Sequence, residues 1–467
     1  MYVRQTIELR PNNKQKTYFR QCFGARRLAY NYGLKEWIRR RDAGEKTNCR
    51  DIRAQFNAEK AAGRWPFLSS LSSAATCFAF EDLKRAFDNF FNDHEKIGKG
   101  NNSQISGYPQ PKSKTYNEGS YTEYFTKDGK SGGARILDHR VKVKTWRCVN
   151  GNYGCLFKPL PKPDNANTDK PYLLLPRIGT VKMTRPLRYE GRPVSVTIRQ
   201  HNECFYACFL VEITEDEFYR THPRYMAMPH VGSSVGIDLG IKDLAVTSDG
   251  LVVENPRHWE RQLEHENRLQ EQMNRCEYTK PGKGKRGLAS PGKNFLKAKK
   301  KLWRVRTKIR NKRQELRNKF CSAVLTSYQH IGIETLGVKQ MAETVKYSKA
   351  KKELRKHLKD VALYEIRHRL ETLGELLGRN VKPAPKDFRS TRTCCRCGFV
   401  APPMNTNIRT YHCPKCGNTI DRDLNAAINL RKIIGRGTSD SMPQATERMR
   451  SELIKSNIPH RQIGEGK

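Results

Sequence analysis

The chain is 467 residues long, which is too long for one small domain and predicts roughly three domains. Its 89 Lys and Arg residues against 47 Asp and Glu residues give a net charge of +42, which is typical of a protein that binds a polyanion. With 36% hydrophobic and 9% aromatic residues the chain can build real cores, so we do not expect wholesale disorder. A merely soluble or ribosomal-type basic protein is the weaker alternative.

Membrane and secretory classes are not indicated. No stretch approaches 18 consecutive apolar residues, and the opening MYVRQTIELRPNN has neither the apolar core nor the cleavage site of a signal peptide. The 14 cysteines are scattered apart from one cluster near the C-terminus, and Cys208 and Cys321 resemble small buried hydrophobic residues. This usage is typical of a reducing compartment, so we expect a cytoplasmic protein.

The N-terminal part of the sequence predicts one strand followed by helices. Residues 2–9 alternate as a strand does, whereas apolar residues recur at helical spacing over 15–38 and again over 72–91. A stretch rich in Gly, Asn, Ser and Pro after Asp93 predicts a loop or a domain boundary.

Strands are predicted after this loop. Residues 172–183 predict one strand region with a bulge or an edge at Pro176, and residues 193–213 predict a hairpin with its turn at 200–203. Several such strands suggest a small β-barrel, which the strand at 2–9 joins from the far end of the sequence.

A third region combines hydrophobic strands with a strongly basic segment. The dipeptide Asp249-Gly250 predicts a tight turn between two strands. Residues 280–319 contain 17 Lys or Arg and one acid, Glu315, together with a helical apolar stripe. So many positive charges repel one another unless phosphates neutralise them, which favours nucleic-acid contact over a merely solvated face. The expected contact residues are Lys297, Lys300, Lys301, Arg304, Lys308 and Arg313. Residues 436–467 are polar and weakly periodic, and we expect a flexible tail.

The cysteine cluster is the strongest local motif. Cys394-x₂-Cys397 and Cys413-x₂-Cys416 are separated by 15 residues, and a glycine follows each pair. Two thiolate pairs at this spacing are what a tetrahedral Zn²⁺ requires, and four protein ligands close the site, so its role is structural. Reduced thiols or an iron site are the alternatives. Cys395 is outside the CxxC register and is not expected to be a ligand.

Three acidic residues lie in unusually apolar surroundings. Asp238 ends a hydrophobic strand, Glu334 follows the run YQHIGI, and Asp423 lies in IDRDLNAAINL. Burying a carboxylate is costly unless it binds a cation or is paired. Three that converge would form a site for two divalent cations suited to phosphodiester hydrolysis. Taken singly, each of these acidic residues is weak evidence for a site. The segment GIDLG also fits the phosphate-binding hairpin of actin-like ATPases, although the sequence lacks the further Gly-rich phosphate loops of those proteins.

Taken together, these motifs resemble those of one family. GIDLGIKDLAVTSDG, IGIETLGVKQM and DRDLNAAINL are similar to the three RuvC motifs, and the cysteine ribbon lies between the second and the third. FGARRLAYNYGL resembles the opening helix, and LPRIGTVKM and CFYACFLVEI resemble wedge-domain segments. Over residues 1–430 the order resembles the TnpB family of transposon-encoded RNA-guided nucleases and the compact type V CRISPR effectors related to it.

The resemblance implies a multidomain α+β fold in which a wedge β-barrel carries an inserted helical recognition domain and a RuvC (RNase H-like) α/β nuclease domain carries a nested zinc ribbon. The implied segments are the first wedge strand (1–10), the recognition domain (11–105), the rest of the wedge barrel (106–230), the nuclease with a basic helical insertion (231–390), the zinc-ribbon, target nucleic-acid-binding domain (391–417), the last nuclease part (418–435) and the tail (436–467).

The resemblance also implies an activity and its residues. Asp238, Glu334 and Asp423 would be the catalytic carboxylates, and the family's acid before x-N-A-A selects Asp423 over its neighbour Asp421. The expected protein is a Mg²⁺-dependent RNA-guided DNA endonuclease with two catalytic Mg²⁺ and one structural Zn²⁺. Its expected partners are a guide RNA, the double-stranded target and the displaced single strand. A monomer is favoured, associated with the nucleoid of a prokaryotic cell.

Three other classes of protein compete with this hypothesis. A nuclease-inactive RNA-guided repressor would require a degraded triad, a transposase would join DNA ends without a guide, and an actin-like ATPase would turn over ATP. The sequence leaves open whether the chain is transposon-associated or a CRISPR effector. It also leaves open the motif beside the target, the length and origin of the guide, and the residues that contact bases.

Overall fold

The computed structural model describes residues 1–98, 107–114, 118–125, 133–137, 141–147, 153–159, 171–226, 228–257, 262–275, 292–335, 363–385, 387–404, 408–435 and 443–463. The chain divides into two compact units, Met1–Thr221 and His222–Lys467. Both contain helices and sheets, which confirms a mixed α/β multidomain fold. Within the described residues, no helix is long and apolar enough to cross a membrane.

The helices and strands have the following bounds. The α-helices are α1 (Asn13–Asp42), α2 (Cys49–Ala61), α3 (Ser73–Gly98), α4 (Glu215–Thr221), α5 (Leu263–Arg275), α6 (Lys293–Ser327), α7 (Leu363–Leu376), α8 (Arg422–Lys432) and α9 (Pro443–Lys455). The strands are β1 (Tyr2–Arg10), β2 (Glu118–Tyr124), β3 (Arg135–Leu137), β4 (Val141–Arg147), β5 (Tyr153–Pro159), β6 (Tyr172–Leu175), β7 (Gly179–Met183), β8 (Arg192–His201), β9 (Cys204–Glu212), β10 (Ser234–Leu239), β11 (Asp243–Thr247), β12 (Leu251–Glu254), β13 (His330–Ile333), β14 (Asn380–Pro383), β15 (Thr410–His412), β16 (Thr419–Asp421) and β17 (His460–Gln462).

The first unit is built on a seven-stranded sheet in the order β2-β8-β9-β1-β7-β6-β3. The N-terminal strand β1 lies between β9 and β7, antiparallel to both, as predicted for residues 2–9. A bridge between Phe125 and Ala134, which follow β2 and precede β3, brings the two edges of the sheet together. Strands β4 and β5 form a separate antiparallel pair.

The predicted hairpin at 193–213 is confirmed as β8 and β9, and Asn202 in its turn has a positive φ of 55°. The prediction of one strand region at 172–183 is wrong. This segment forms two antiparallel strands, β6 and β7, joined by a tight turn in which Arg177 has φ 66°. Gly179, which pairs with Leu175 across the turn, is also left-handed with φ 79°, so this glycine was the available signal for a turn in the sequence.

Helices α1 and α3 pack against this sheet and against each other, and α2 packs against both helices. The helix predicted at 15–38 is α1, and its N-cap Asn12 forms a capping box with Gln15. Phe19 of α1 lies against Tyr121 and Phe205 of the sheet, with ring centroids 6.1 and 5.6 Å apart. Gly33 leaves no room for a Cβ beside Leu83 of α3, so α1 and α3 pack closely. The helices therefore share one aromatic core with the sheet.

The second unit is built on a six-stranded sheet in the order β14-β13-β10-β11-β12-β17. Strands β10, β11 and β12 are antiparallel neighbours, whereas β13 is parallel to β10 and β14 is parallel to β13. The predicted tight turn at Asp249 and Gly250 joins β11 to β12, with Gly250 at φ 81°. The acidic residues Asp238 and Glu334 thus stand at the same ends of two adjacent parallel strands.

The prediction of a flexible tail is wrong for residues 443–463. They form α9 and β17, and β17 pairs with the edge strand β12 from Leu251 to Val253. Hydrogen bonds from Tyr328 at 2.8 Å and from Thr446 of α9 at 2.9 Å converge on the buried carboxylate of Asp249. The C-terminal segment is therefore part of the second unit.

Two glycines determine how closely α8 approaches this sheet. Gly236 and Gly332 lie side by side in the register of β10 and β13. A Cβ on Gly236 would overlap the carbonyl oxygen of Ala427, and a Cβ on Gly332 would overlap that of Leu430. Each glycine precedes a carboxylate by two residues, so glycine and carboxylate share the face on which α8 packs. The repeated pattern Gly-Ile-acid therefore brings α8 close to both acids.

Replacing Gly332 with alanine is expected to lower the free energy of unfolding of the second unit by about 3 kcal/mol, because the backbone of α8 cannot move aside as a side chain can. Denaturant unfolding measures this change. Gly24→Ala in α1 of the first unit is the control for the glycine-to-alanine change itself, since only the tip of Arg27 lies within 4 Å of its added Cβ and alanine favours the helix by up to about 1 kcal/mol. Equal stabilities for the two variants would contradict the close packing.

Candidate active site and metal centre

The cysteine cluster is built from two equivalent turns. The N–H of Gly398 donates to the carbonyl of Cys394 at 2.9 Å, and the N–H of Gly417 donates to that of Cys413 at the same distance. Both glycines have a left-handed backbone, φ 73° and 70°, which explains why glycine follows each CxxC. The second turn connects β15 and β16, so the ribbon extends to Asp421, four residues past the predicted boundary at 417.

The four sulfurs fit a tetrahedral metal ion. Their ligand atoms all lie within 4.8 Å of one another, and the pairs Cys394–Cys416 and Cys397–Cys413 are 3.7 and 3.5 Å apart. Four sulfurs around zinc, with Zn–S bonds of about 2.3 Å, stand roughly 3.8 Å apart. The cluster can therefore hold a structural metal ion, and its donor set fits Zn²⁺.

Backbone amides favour the thiolate form at two of the four sulfurs. Burial alone would raise the pKa of the Cys413 thiol, but the N–H groups of Cys416 and Lys415 donate to its sulfur and lower its pKa to about 6. The N–H groups of Cys397 and Arg396 similarly lower the pKa of Cys394, against the effect of burial. Thiolate is the form that binds metal, so the backbone favours the binding state.

The three predicted carboxylates line one cleft of about 450 Å³. Asp238 comes from the end of β10, Glu334 follows β13, and Asp423 lies in the first turn of α8. All three side chains are partly buried. Four basic residues share the cleft walls, namely Lys242, Arg392, Arg409 and Arg422. The cleft therefore combines acids that suit hard cations with bases that suit a phosphate.

The acids perturb one another strongly. Burial, together with the carboxylates of Glu334 and Asp423, raises the pKa of Asp238 well above its ordinary value, and Arg422 offsets only part of this effect. Burial also raises the pKa of Glu334, against hydrogen bonds from Asp238 and Ser390. Without a cation the Asp238 carboxyl is therefore favoured as a protonated donor to Glu334. A divalent ion would remove the repulsion that keeps this proton in place.

Asp423 is held differently. It forms ion pairs with Arg409 at 3.3 Å and with Arg422 at 3.4 Å. Among the described residues, the sulfurs of the four cysteines all lie within 4.8 Å of one another. The oxygens of the three carboxylates are farther apart than these sulfurs.

The competing acid Asp421 caps α8, because its Oδ1 accepts the N–H groups of Asp423 and Leu424 at 2.9 and 3.0 Å.

Some residues of this region are missing from the sequence prediction. Ser390 donates to Glu334 at 3.5 Å, and Asn425 and Asn429 bond the segment that leads into the ribbon. The two asparagines are four residues apart, on one face of a helix, and this spacing was the available signal. Ser390 and Arg409 lie in loops, where no periodicity marks them.

The predicted nucleic-acid contacts fall on two sides of α6. Five of the six side chains are exposed, namely Lys297, Lys300, Lys301, Arg304 and Lys308. The first four of these line a groove between α5 and α6 together with Arg275. Arg313 is half-buried and lies near Arg317, where α6 packs against α7. An ion pair of 2.7 Å between Arg306 of α6 and Glu266 of α5 connects the two helices. The groove is therefore a basic surface that excludes Arg313.

Three family models match the chain. The model OrfB_IS605, described as "Probable transposase", matches residues 209–345, and the Cas12f1-like TNB domain matches residues 364–430. The model HTH_OrfB_IS605, described as a helix-turn-helix domain, matches residues 1–46, which here form β1 and the single long helix α1. Together the models match more than half of the chain.

Relatives match over nearly the whole length. A Streptomyces pristinaespiralis protein named "Putative RNA-guided DNA endonuclease" is 26% identical over 90% of this chain and 86% of its own length. The InsQ protein of Escherichia coli K12, named in the same way, is 24% identical over 91% of this chain and 90% of its own length. A solved Cas12f1–sgRNA–target DNA complex aligns with 88% of this chain and 82% of that chain at 14% identity and a TM-score of 0.45.

These matches follow the order of the sequence motifs, with the TNB model over the cysteine ribbon and α8. The class is that of proteins matched by the OrfB_IS605 models, with a TNB domain of the Cas12f1-like type. The chain belongs to the TnpB family.

Proposed function

We propose that this protein is an RNA-guided DNA endonuclease of the RuvC type. The observation that carries the proposal is the meeting of Asp238, Glu334 and Asp423 in one cleft from three separate segments of the chain. In chain order the sheet of the second unit begins with three antiparallel strands, β10 to β12, and continues with β13 and β14, which are parallel to β10. This order supports an RNase H-like core. The names of the relatives support the same activity.

The other parts of the chain receive matching roles. The seven-stranded sheet would be the wedge barrel and α1 to α3 the recognition domain, which together hold the guide RNA and read a short motif beside the target. Base pairing of the guide would supply sequence specificity. The four-cysteine ribbon would carry one structural Zn²⁺. Its Arg392 and Arg409 line the carboxylate cleft, which suits a domain that guides nucleic acid to the acids.

In the cleft, Asp238, Glu334 and Asp423 would hold two Mg²⁺ ions through carboxylate oxygens, the ligands that hard cations prefer. When bound, the ions supply an activated water and stabilise the leaving oxygen of the phosphodiester. Arg409 and Arg422, which pair with Asp423 in this structure, are placed to bind the phosphate of a DNA strand in the cleft. Burial raises the pKa of Asp238 and Glu334, and repulsion from the neighbouring carboxylates raises that of Asp238 further. Binding of a cation would therefore displace a proton from these acids.

The proposal is tested by purifying the protein after co-expression with its flanking DNA, sequencing the bound RNA, and supplying that RNA with a new guide segment and a matching DNA. We expect one defined RNA and cleavage only of matching DNA in the presence of Mg²⁺. An RNA from a transposon end would indicate a TnpB-type nuclease, and one from a CRISPR repeat would indicate a type V effector.

Three results would overturn the proposal. Absence of any specific RNA would contradict guided cleavage. Guided binding without cutting would favour a repressor, and joining of DNA ends without RNA would favour a transposase, the activity named by one matching family model.

The groove between α5 and α6 should bind nucleic-acid phosphates. Replacing Lys297, Lys300, Lys301 and Arg304 with glutamate is expected to weaken nucleic-acid binding at least a hundredfold and to lower the slope of log K against log salt by about 3. Filter binding over a range of salt concentrations measures both. The control exchanges lysine and arginine at the same four positions, which keeps every charge. An unchanged salt slope in the glutamate variant would remove this surface from the interface.

A further inference from the structure

Two buried asparagines of α8 connect this helix to the segment that leads into the ribbon. Asn425 is fully buried, donates to the carbonyl of Thr393 at 2.8 Å, and accepts the N–H of Cys395 at 2.9 Å. Asn429, only 3% exposed, donates to the carbonyls of Ser390 and Thr393 at 2.9 and 2.7 Å. Four hydrogen bonds therefore join the helix that carries Asp423 to the six-residue segment that contains the zinc ligand Cys394.

The same segment also reaches a second carboxylate. Ser390, 2% exposed, has its carbonyl bonded by Asn429 and its hydroxyl 3.5 Å from Glu334. On the other side of the ribbon, the N–H of Arg422 donates to the carbonyl of Arg409 at 2.7 Å, directly beside Asp423. The ribbon and the segment that leads into it are thus hydrogen-bonded to α8 and to Glu334, although Cys394, Cys413 and Cys416 belong to the ribbon's own core.

Packing alone does not require asparagine at these positions. The neighbouring Ala426 and Ala427 are fully buried, so small apolar side chains are accommodated in this part of α8. A buried amide is costly unless its hydrogen bonds are satisfied, and it then fixes the relative position of the two backbones. Fixed registration is what a site made from separate segments needs.

We propose that Asn425 and Asn429 are positioning residues, which hold Asp423 in register with Asp238 and Glu334 by locking α8 onto the zinc-ribbon segment 390–395. This inference rests on the proposed function, because it assigns a task toward the metal ions of that site. The folded ribbon then sets the separation of the carboxylates, and loss of the asparagine hydrogen bonds weakens cation binding before it weakens nucleic-acid binding.

The test compares full-length Asn425→Ala and Asn429→Ala with the wild type and with Asn380→Ala, an exposed asparagine of β14 in the same unit. Binding of Tb³⁺, followed by luminescence and competed with Mg²⁺, reports on the carboxylates without any cleavage. We expect about tenfold weaker Tb³⁺ binding in both α8 variants, as is usual for residues that orient metal ligands. The Mg²⁺ concentration for half-maximal cleavage should rise by a similar factor. Zinc content and KM for target DNA should not change.

Asn429→Ser gives a milder change, because its hydroxyl retains one donor, and it should lie between alanine and the wild type. If Tb³⁺ affinity and Mg²⁺ half-saturation of the α8 variants stay within twofold of the wild type, the asparagines serve only the fold and the inference is wrong, whatever the melting temperatures. Should the wild type and Asp238→Ala bind Tb³⁺ equally, the proposed metal site itself fails. A variant that loses its zinc is replaced in this comparison by Asn429→Ser.

Discussion

Replacing Asp238 with alanine is expected to reduce guided DNA cleavage at least about a thousandfold, which corresponds to about 4 kcal/mol of transition-state stabilisation. Asp238 stands at the centre of the perturbed group of acids, since its pKa responds to both Glu334 and Asp423. Binding of guide RNA and target should persist, because the carboxylate faces the cleft and not the basic groove of α6. Single-turnover cleavage and filter binding measure the two quantities separately.

The cleft supplies its own control for this result. Asp243 lines the same cavity but pairs with Arg461 of the C-terminal strand at 3.4 Å, and it is not one of the three proposed ligands. We expect Asp243→Asn to keep cleavage within about tenfold of the wild type, since a lost ion pair with partly exposed groups costs little. Full cutting by Asp238→Ala would refute the catalytic assignment. Equal losses in the two variants would show that any charge change in the cleft disables it.

The isosteric variant Asp238→Asn separates catalysis from stability. A carboxyl whose folded-state pKa is raised stabilises the fold fully at acid pH, and this contribution is lost as the pH rises toward that raised value. In Mg²⁺-free buffer that contains no zinc chelator, the wild type should therefore melt at lower temperature as the pH increases from about 5 to 8, because Asp238 and Glu334 are forced to ionise together. Asp238→Asn should lose much of this dependence while remaining inactive. Identical melting profiles for the two proteins would contradict the coupling of these acids.

The residues of the candidate site were largely predictable because their signals are local. A CxxC pair fixes two sulfurs and a left-handed glycine within five residues, and Gly398 and Gly417 occupy those positions. The pattern Gly-Ile-acid in β10 and β13 is likewise local. Its glycine allows α8 to approach closely, and its acid lies on the same face of the strand. Asp423, in contrast, was separated from Asp421 by family resemblance alone, and the capping bonds of Asp421 appear only in the structure.

Non-local pairing accounts for what the sequence did not predict. Strand β17 has three residues and owes its existence to β12, some 200 positions earlier in the chain. Three residues carry no periodicity, so a polar segment was taken for a tail. The position of Arg313 could have been predicted from the sequence. It lies nine residues after Arg304, and at about 100° per residue this places it on the opposite side of the helix. Because the prediction counted charges without this geometry, it included Arg313, which lies on the side of α6 that packs against α7, among the nucleic-acid contacts.

The second large effect concerns the cysteine ribbon. Replacing Cys413 with serine is expected to remove zinc, to unfold the ribbon and to abolish cleavage, since a structural zinc site supplies on the order of 10 kcal/mol of folding free energy in small zinc domains. The ribbon has few other sources of stability: its core contains four buried residues, and two of these are the ligands Cys394 and Cys413. Zinc content by atomic absorption, thermal melting and cleavage measure the three losses.

Cys395→Ser is the matched control, because this cysteine neighbours a ligand, and its sulfur has a weak contact with Asn418 at 3.8 Å. It should retain one zinc per chain and wild-type cleavage, whereas a loss of zinc would assign Cys395 to the metal site. If Cys413→Ser loses zinc but still cuts, the ribbon is not needed to position α8. Guided binding that survives in Cys413→Ser while cleavage fails would place the ribbon's main role at the carboxylates, where Asn425 and Asn429 attach it to the helix of Asp423.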